Sequence, residues 1–249
     1  TRARDAFQEW QKQGILTQEK EPSFYIYRQT FKDPATGEVK NRSALLGRVR
    51  LEPFEKGIIV PHEKTLSGPK VDRMRLLKTV QTNFSPVFGL YKDQDSKVGS
   101  VICDPKSATP IFEAEDDDKI LHTLLVVKDP VLVEKLHTAL ESKQVYIADG
   151  HHRYETALEY ARLKREELGA SPSDRFAFDY MYMALVSFND PGFIVLPTHR
   201  ILLDLGMSDA DALKRLEGYF SITKASLKEI ETMVLSKSTD PMTFGLTLK

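Results

Sequence analysis

The chain has one cysteine, Cys103, and one tryptophan, Trp10, among 249 residues. A single cysteine excludes an intramolecular disulfide and a multi-cysteine zinc site, and it fits a reducing, cytoplasmic compartment. The sequence contains no run of 18 or more apolar residues and no secretory signal pattern, so neither a membrane span nor export is expected. Lys and Arg number 35 against 36 Asp and Glu, a formal charge of −1. The basic surplus of a non-specific nucleic-acid binder is missing, and nucleic acid is an unlikely partner. Internal repeats and low-complexity segments are absent too. The chain lacks GxSxG, GxGxxG and the GxxxxGK of a P-loop, which leaves those chemistries without a motif. What remains is 41% hydrophobic and 29% charged, the composition of an ordinary globular protein with a sizeable core. A start at Thr1 and an end in the apolar alternation MTFGLTLK read as a piece of a longer protein.

Periodicity places the elements. ARDAFQEWQKQG puts Ala6, Phe7 and Trp10 at helical spacing and ends at Gly14. SFYIYRQTF and EVKNRSALLGRVRL flank the turn KDPATG and read as a hairpin. KGIIVPHEKTLSGPK is a short strand running into a polar loop, and VDRMRLLKTVQTN is a helix carrying Met74, Leu77 and Val80. SPVFGLYKDQDSKVGSVICD reads as a strand pair, EAEDDDK as a solvated loop, and KILHTLLVVKD as a strand. A helix from Pro130, the strand QVYIAD, and the helix HHRYETALEYARLKREELG follow. The last third gives strands FDYMYMALVSF and FIVLPTHRILLDL, a helix opening at Ser208 with Asp211 three residues on, and another helix near 226–236. Strand–helix alternation after about 119, with hairpins before it, argues for an α+β fold with a mixed sheet and helices. It treats residues 1–249 as a single fragment, divisible into a hairpin-rich 1–110 and an α/β 111–249.

The junction YIADGHHRYETAL breaks a local rule. A helix N-terminus favours acids, yet the first turn here holds His151, His152 and Arg153. Tyr154, Ala157, Leu158 and Ala161 form an apolar stripe, and Glu155, Glu159, Arg162 and Glu166 a polar one, so the helix starts at the strand edge where α/β folds bind ligands. In the structural reading, Asp149 is the N-cap, Gly150 supplies the turn, and the basic residues are solvated or paired elsewhere. In the functional reading, Arg153 donates in bidentate fashion to a phosphate, with His151 and His152 as further donors or proton shuttles. His151 and Glu155, at i and i+4, share a face on which a metal could sit. Asp149 beside a phosphate-bound Mg2+ fits the chemistry better than protein-only zinc.

Two other polar clusters are candidates to converge there. The loop VPHEKTLSGPKVDR carries His62, Glu63, Thr65, Lys70, Asp72 and Arg73 directly after an apolar strand. VLPTHR sets Thr198, His199 and Arg200 between strand-like apolar stretches, where buried polar groups need partners. Cys103 has no histidine near it in sequence and reads as a buried, inert thiol. His122 and His137 read as core or surface residues.

VYIADGHHRYETAL, together with PHEKT, NFSPVFGLY and LPTHR, resembles the DUF1015 family, often labelled ParB-like, and the resemblance runs through essentially the whole chain. The strand–turn–helix is similar to the nucleotide phosphate-binding motif of the ParB/sulfiredoxin-like superfamily, a version of which occurs in free-serine kinases. The resemblance implies a ParB/sulfiredoxin-like nucleotide-binding core. Asp149, Gly150, His151, His152 and Arg153 would hold the phosphates of ATP, ADP or CTP with Mg2+ at Asp149, assisted by Arg73, His199 and Arg200. A glutamate of an upstream loop would act as base, here Glu63 beside His62, with His152 stabilising the transferred group. Without a helix-turn-helix or basic charge, the resemblance does not extend to DNA partitioning. The reading is a nucleotide-dependent phosphotransferase or hydrolase acting on a small hydroxylated metabolite. Its rivals are a non-catalytic nucleotide switch, with a homodimer as one outcome, and an interaction module.

Overall fold

A computed structural model describes residues 2–65, 67–104, 106–196, 201–235 and 243–247. They fall into two compact units, 1–195 and 196–249. The first opens with helix α1 (Arg2–Lys12) and the hairpin β1 (Phe24–Lys32) and β2 (Val39–Arg50). Asp33 closes that hairpin by accepting from the Ala35 amide at 2.9 Å, and Gly37 takes the positive φ of 74° that the turn demands. After it come β3 (Ile59–Val60), α2 (Ser67–Val80), β4 (Val87–Tyr91), α3 (Lys97–Ile102), β5 (Thr109–Glu115) and β6 (Leu121–Val127). Helix α4 (Pro130–Glu141), β7 (Val145–Asp149), α5 (His151–Leu168) and β8 (Tyr180–Ser187) complete the unit. The second unit contributes α6 (Asp209–Leu216) and α7 (Leu227–Leu235).

The architecture is α+β. All eight strands join one mixed sheet in the order β3-β7-β4-β8-β2-β1-β6-β5, so strands from either side of residue 110 share it. Alternation along the strands gives the sheet two apolar faces. On one, Ile26, Leu45, Val87, Val145, Ile147 and Met183 pack with Leu136 of α4 and Tyr154, Ala157 and Ala161 of α5. The other carries a smaller cluster of Ala44, Leu46, Leu90, Ala184 and Val186. The expected apolar stripe of α5 is thus its buried side. Its polar stripe is ion-paired, Arg162 joining Glu159 at 2.7 Å and also Glu166.

Two β-pairings fix the site. β3 runs parallel to β7, with Ile59 opposite Val145 and Val60 opposite Tyr146, so the chain leaves both strands at the same end. β4 runs antiparallel to β7, which brings its beginning, Pro86-Val87, to that end as well. Tyr154 anchors the approach to β3. Its hydroxyl accepts from the Glu52 amide and donates to the Glu52 carbonyl, each at 2.9 Å, and its ring stacks on Phe54 with centroids 5.4 Å apart.

Several expectations are corrected. The second half of SPVFGLYKDQDSKVGSVICD is helix α3, because Asp93 accepts from the Val98 and Gly99 amides at 3.4 and 2.7 Å and so satisfies a helix start that the β-branched run conceals. Cys103 is exposed, since it follows the last turn of α3 instead of lying in a strand. The acidic stretch begins inside β5, an edge strand with Pro110 at an irregularity. FIVLPTHRILLDL forms no strand at 193–196 or 201–205, and Thr198, His199 and Arg200 lie outside the described residues.

Replacing Tyr154 with Phe strands the partly buried amide and carbonyl of Glu52. Urea denaturation should show a loss of about 1–3 kcal/mol, and an unchanged midpoint would show that water satisfies both groups.

Candidate functional site

At the shared strand end, β7 stops at Asp149 and α5 starts at His151. Gly150 lies between them with φ 98°, a conformation costly for any side chain. Gly150 is also covered, since a Cβ there would come within 2.9 Å of Arg153 Nη2. The N-cap is therefore Gly150, and no side chain caps the helix, which corrects the placing of Asp149 in that role. The first intrahelical bond runs from the Tyr154 amide to the Gly150 carbonyl, so the amides of His151, His152 and Arg153 belong to the donor-rich first turn.

The three basic residues are handled differently. Arg153 folds back over the turn, donating through Nη1 to the Pro86 carbonyl and through Nη2 to Oδ2 of Asp149. It thereby ties the start of β4 to the end of β7. His151 is fully buried, 1% exposed. Its Nε2 accepts from the His62 backbone amide at 3.2 Å. An amide can only donate, so Nε2 is bare and the single proton of the neutral ring sits on Nδ1. That Nδ1 faces Oε1 of Glu63 at 3.1 Å and donates to it. Burial, and after it the neighbouring His62, push the His151 imidazole below the ordinary 6.5, with Glu63, Asp149 and Glu155 acting the other way. His152 is half-buried on the same turn.

The loop after β3 is held at two levels of α5. At the first, His62 donates through Nδ1 to the Ile147 carbonyl at 2.7 Å and packs edge-on against His151, with centroids 4.5 Å apart. One turn further on, Thr65 Oγ1 donates to Glu155 Oε2 at 2.6 Å, and Lys70 pairs with the same oxygen. Burial raises the Glu155 carboxyl, but the bonds from Lys70 and Thr65 outweigh it and leave the group below its ordinary value. Glu63 is thus positioned by its neighbours while its own side chain stays half exposed, at 53%.

The structure therefore brings together His62, Glu63, Asp149, Gly150, His151, His152 and Arg153. Arg73 sits exposed on α2 and makes no hydrogen bond or ion pair with this group among the described residues. His199 and Arg200 lie outside the described residues. Sequence reading finds His62 and Glu63 as loop residues but misses that His151 is what holds Glu63, a contact between residues far apart in the chain. It also misses the loop-holding role of Glu155 through Thr65 and Lys70.

His62, Glu63 and His151 each offer a ligand-type atom, all within 4.8 Å of one another. The hydrogen bonds speak against a cation there. One nitrogen of His151 has its lone pair engaged by an amide and the other carries the proton, so the neutral ring offers a metal nothing. Asp149, the residue expected beside Mg2+, has Oδ2 serving Arg153 and no contact on Oδ1 among the described residues.

The model of a family described as "Protein of unknown function (DUF1015)" matches residues 1–249. No curated protein and no solved structure matches the chain.

A ring kept neutral by burial resists protonation in the folded state, whereas the unfolded ring protonates near 6.5. The stability contributed by His151 is complete above that pH and is lost as pH falls towards the lowered folded value. Urea midpoints from about pH 7.5 to about pH 5.5 should decline, and less steeply in His151→Gln. Equal slopes would show that the ring is freely protonated where it lies.

Proposed function

The chain belongs to the DUF1015 family, whose description states no function, and we propose that it binds the phosphates of a nucleotide at the start of α5 and passes the terminal phosphoryl group to a hydroxyl or to water. The observation that carries this reading is the Glu63 carboxylate, fixed by His151 Nδ1–H and half exposed beside a helix N-terminus. A carboxylate held in place next to a phosphate-accepting helix end is the pairing that such a transfer requires.

The first-turn amides of α5 would accept the phosphate oxygens, helped by the helix dipole. Arg153 has donors beyond the two that serve Pro86 and Asp149, and His152 shares its turn. Glu63 takes the proton of the attacking hydroxyl as its oxygen bonds to the terminal phosphorus. The bond from that phosphorus to the bridging oxygen breaks, and the nucleoside diphosphate leaves with the electron pair. Asp149 Oδ1 is suited to help hold Mg2+ arriving with the nucleotide, an ion that would supply charge neutralisation on the phosphates. The positioning of the base and the charge stabilisation would come from residues already in place in the free protein.

Thermal melts with Mg2+ and each of ATP, ADP, CTP, GTP and phosphate test the binding half. A ligand at 100 times its dissociation constant adds about 2.7 kcal/mol, and Arg153→Ala should abolish that gain. Glu63→Gln keeps an oxygen for His151 to donate to but cannot act as a base. Turnover should fall at least a hundredfold with nucleotide affinity nearly unchanged. Full affinity with no turnover in the wild type would make the chain a nucleotide-binding switch instead. No stabilisation by any of these ligands would remove the phosphate site.

A further inference from the structure

A cleft of about 890 Å³ lies alongside α5, between that helix, α2 and the 3-10 turn at Phe54–Lys56. Its size suits a small organic ligand, for which pockets run to roughly 300–1,000 Å³. It abuts the site through Lys70 and Glu155, the pair that holds the Glu63 loop, and continues over Phe54, Met74 and Leu158.

We propose that this cleft is the nucleoside pocket of the same ligand, so that the chain recognises a ribonucleotide by its sugar and base as well as by its phosphates; the inference rests on the phosphate reading above. Two observations converge on it. Phe54 has one side of its ring stacked on Tyr154 and also lines the cleft, a fixed platform on which a flat base can stack. Glu155 also lines the cleft, and both of its contacts, from Thr65 and Lys70, fall on Oε2. Among the described residues Oε1 takes no contact and can accept from a hydroxyl, the means by which a carboxylate recognises a ribose.

Dimensions agree as well. At about 1.5 Å of rise per residue, Glu155 lies about 6 Å and Leu158 about 10 Å along the axis from His151. That span leaves room for a sugar beyond the phosphates, within the cleft that Phe54 also lines. Of the arginines in its wall, Arg162 is committed to Glu159 and Glu166, Arg165 to Asp179 and Arg50 to Glu52, while Arg175 donates to the Pro172 and Asp174 carbonyls.

Titration calorimetry with Mg2+ and ATP, CTP, GTP, UTP or inorganic tripolyphosphate tests the division of labour, on the wild type, Phe54→Ala and Met74→Trp. The first variant removes the platform and the second fills the cleft, so a shared effect cannot come from one kind of packing damage; melting curves confirm that both are folded. One ribonucleotide should bind about tenfold or more tighter than tripolyphosphate. Both variants should lower its affinity to the tripolyphosphate level while leaving tripolyphosphate itself unchanged, and the 2′-deoxy form should bind more weakly than the ribo form. Equal binding of nucleotide and tripolyphosphate, or nucleotide binding untouched by both variants, overturns the nucleoside pocket and leaves the phosphate site standing. Failure of every one of these ligands, tripolyphosphate included, overturns both.

Discussion

Two residue pairs of parallel β-structure, Ile59 with Val145 and Val60 with Tyr146, decide which loops of this chain meet. Had β3 paired antiparallel to β7, the chain leaving it would emerge at the far end of the sheet, and Glu63 could not reach His151. So short a ladder is weak alone, and side chains extend it. His62 donates to the Ile147 carbonyl as a further strand residue would, and Gln144 Nε2 donates to the Gly57 carbonyl on the other side of the ladder. Tyr154 fixes the backbone before β3, and Thr65 and Lys70 fix the loop after it. All of these anchors except Gln144 and the Ile147 carbonyl lie on, or attach to, one helix, α5.

The same helix accounts for the electrostatic conflict at its own start. Three basic residues in a first turn oppose the dipole, yet the charge they bring is smaller than the sequence suggests. His151 is held neutral by burial, and Asp149 sits against Arg153 from one turn earlier. Glu63 arrives from a distant loop and supplies a second carboxylate. The helix end thus obtains its acids from the strand just before it and from a distant loop. In the proposed function, a phosphate entering there would meet a turn in which the Arg153 charge is already answered by Asp149, so the first-turn amides would add to what that guanidinium offers.

Much of the scaffold was legible because its signals are local. The 3.6-residue stripe Tyr154, Ala157, Leu158 and Ala161 identifies the buried side of α5, and KDPATG between two alternating runs identifies the first hairpin. Signals failed where a distant or unusual partner decides. Val98, Val101 and Ile102 look like strand residues, but Asp93 nucleates a helix under them. Proline and acids hide β5, which an edge position tolerates because one side of the strand needs no partner. His62, Glu63 and the junction were each visible as polar residues after apolar runs. That they converge was an expectation from residue type and resemblance, which spacing alone could not show, because the meeting follows from a strand pairing across the sequence.

The direction of the hydrogen bonds through His151 has a kinetic consequence. Backbone amide to Nε2, then Nδ1–H to Glu63, is a chain of donors pointing one way, and it ends on the carboxylate. A proton captured by Glu63 cannot leave through the imidazole, because the only nitrogen free of hydrogen faces an amide that has no acceptor to offer. The carboxylate must discharge to water or to a departing product on its exposed side. Under the proposed function, His151 would act as an insulator, and Glu63 would be discharged from its exposed side and not by relay through the protein interior.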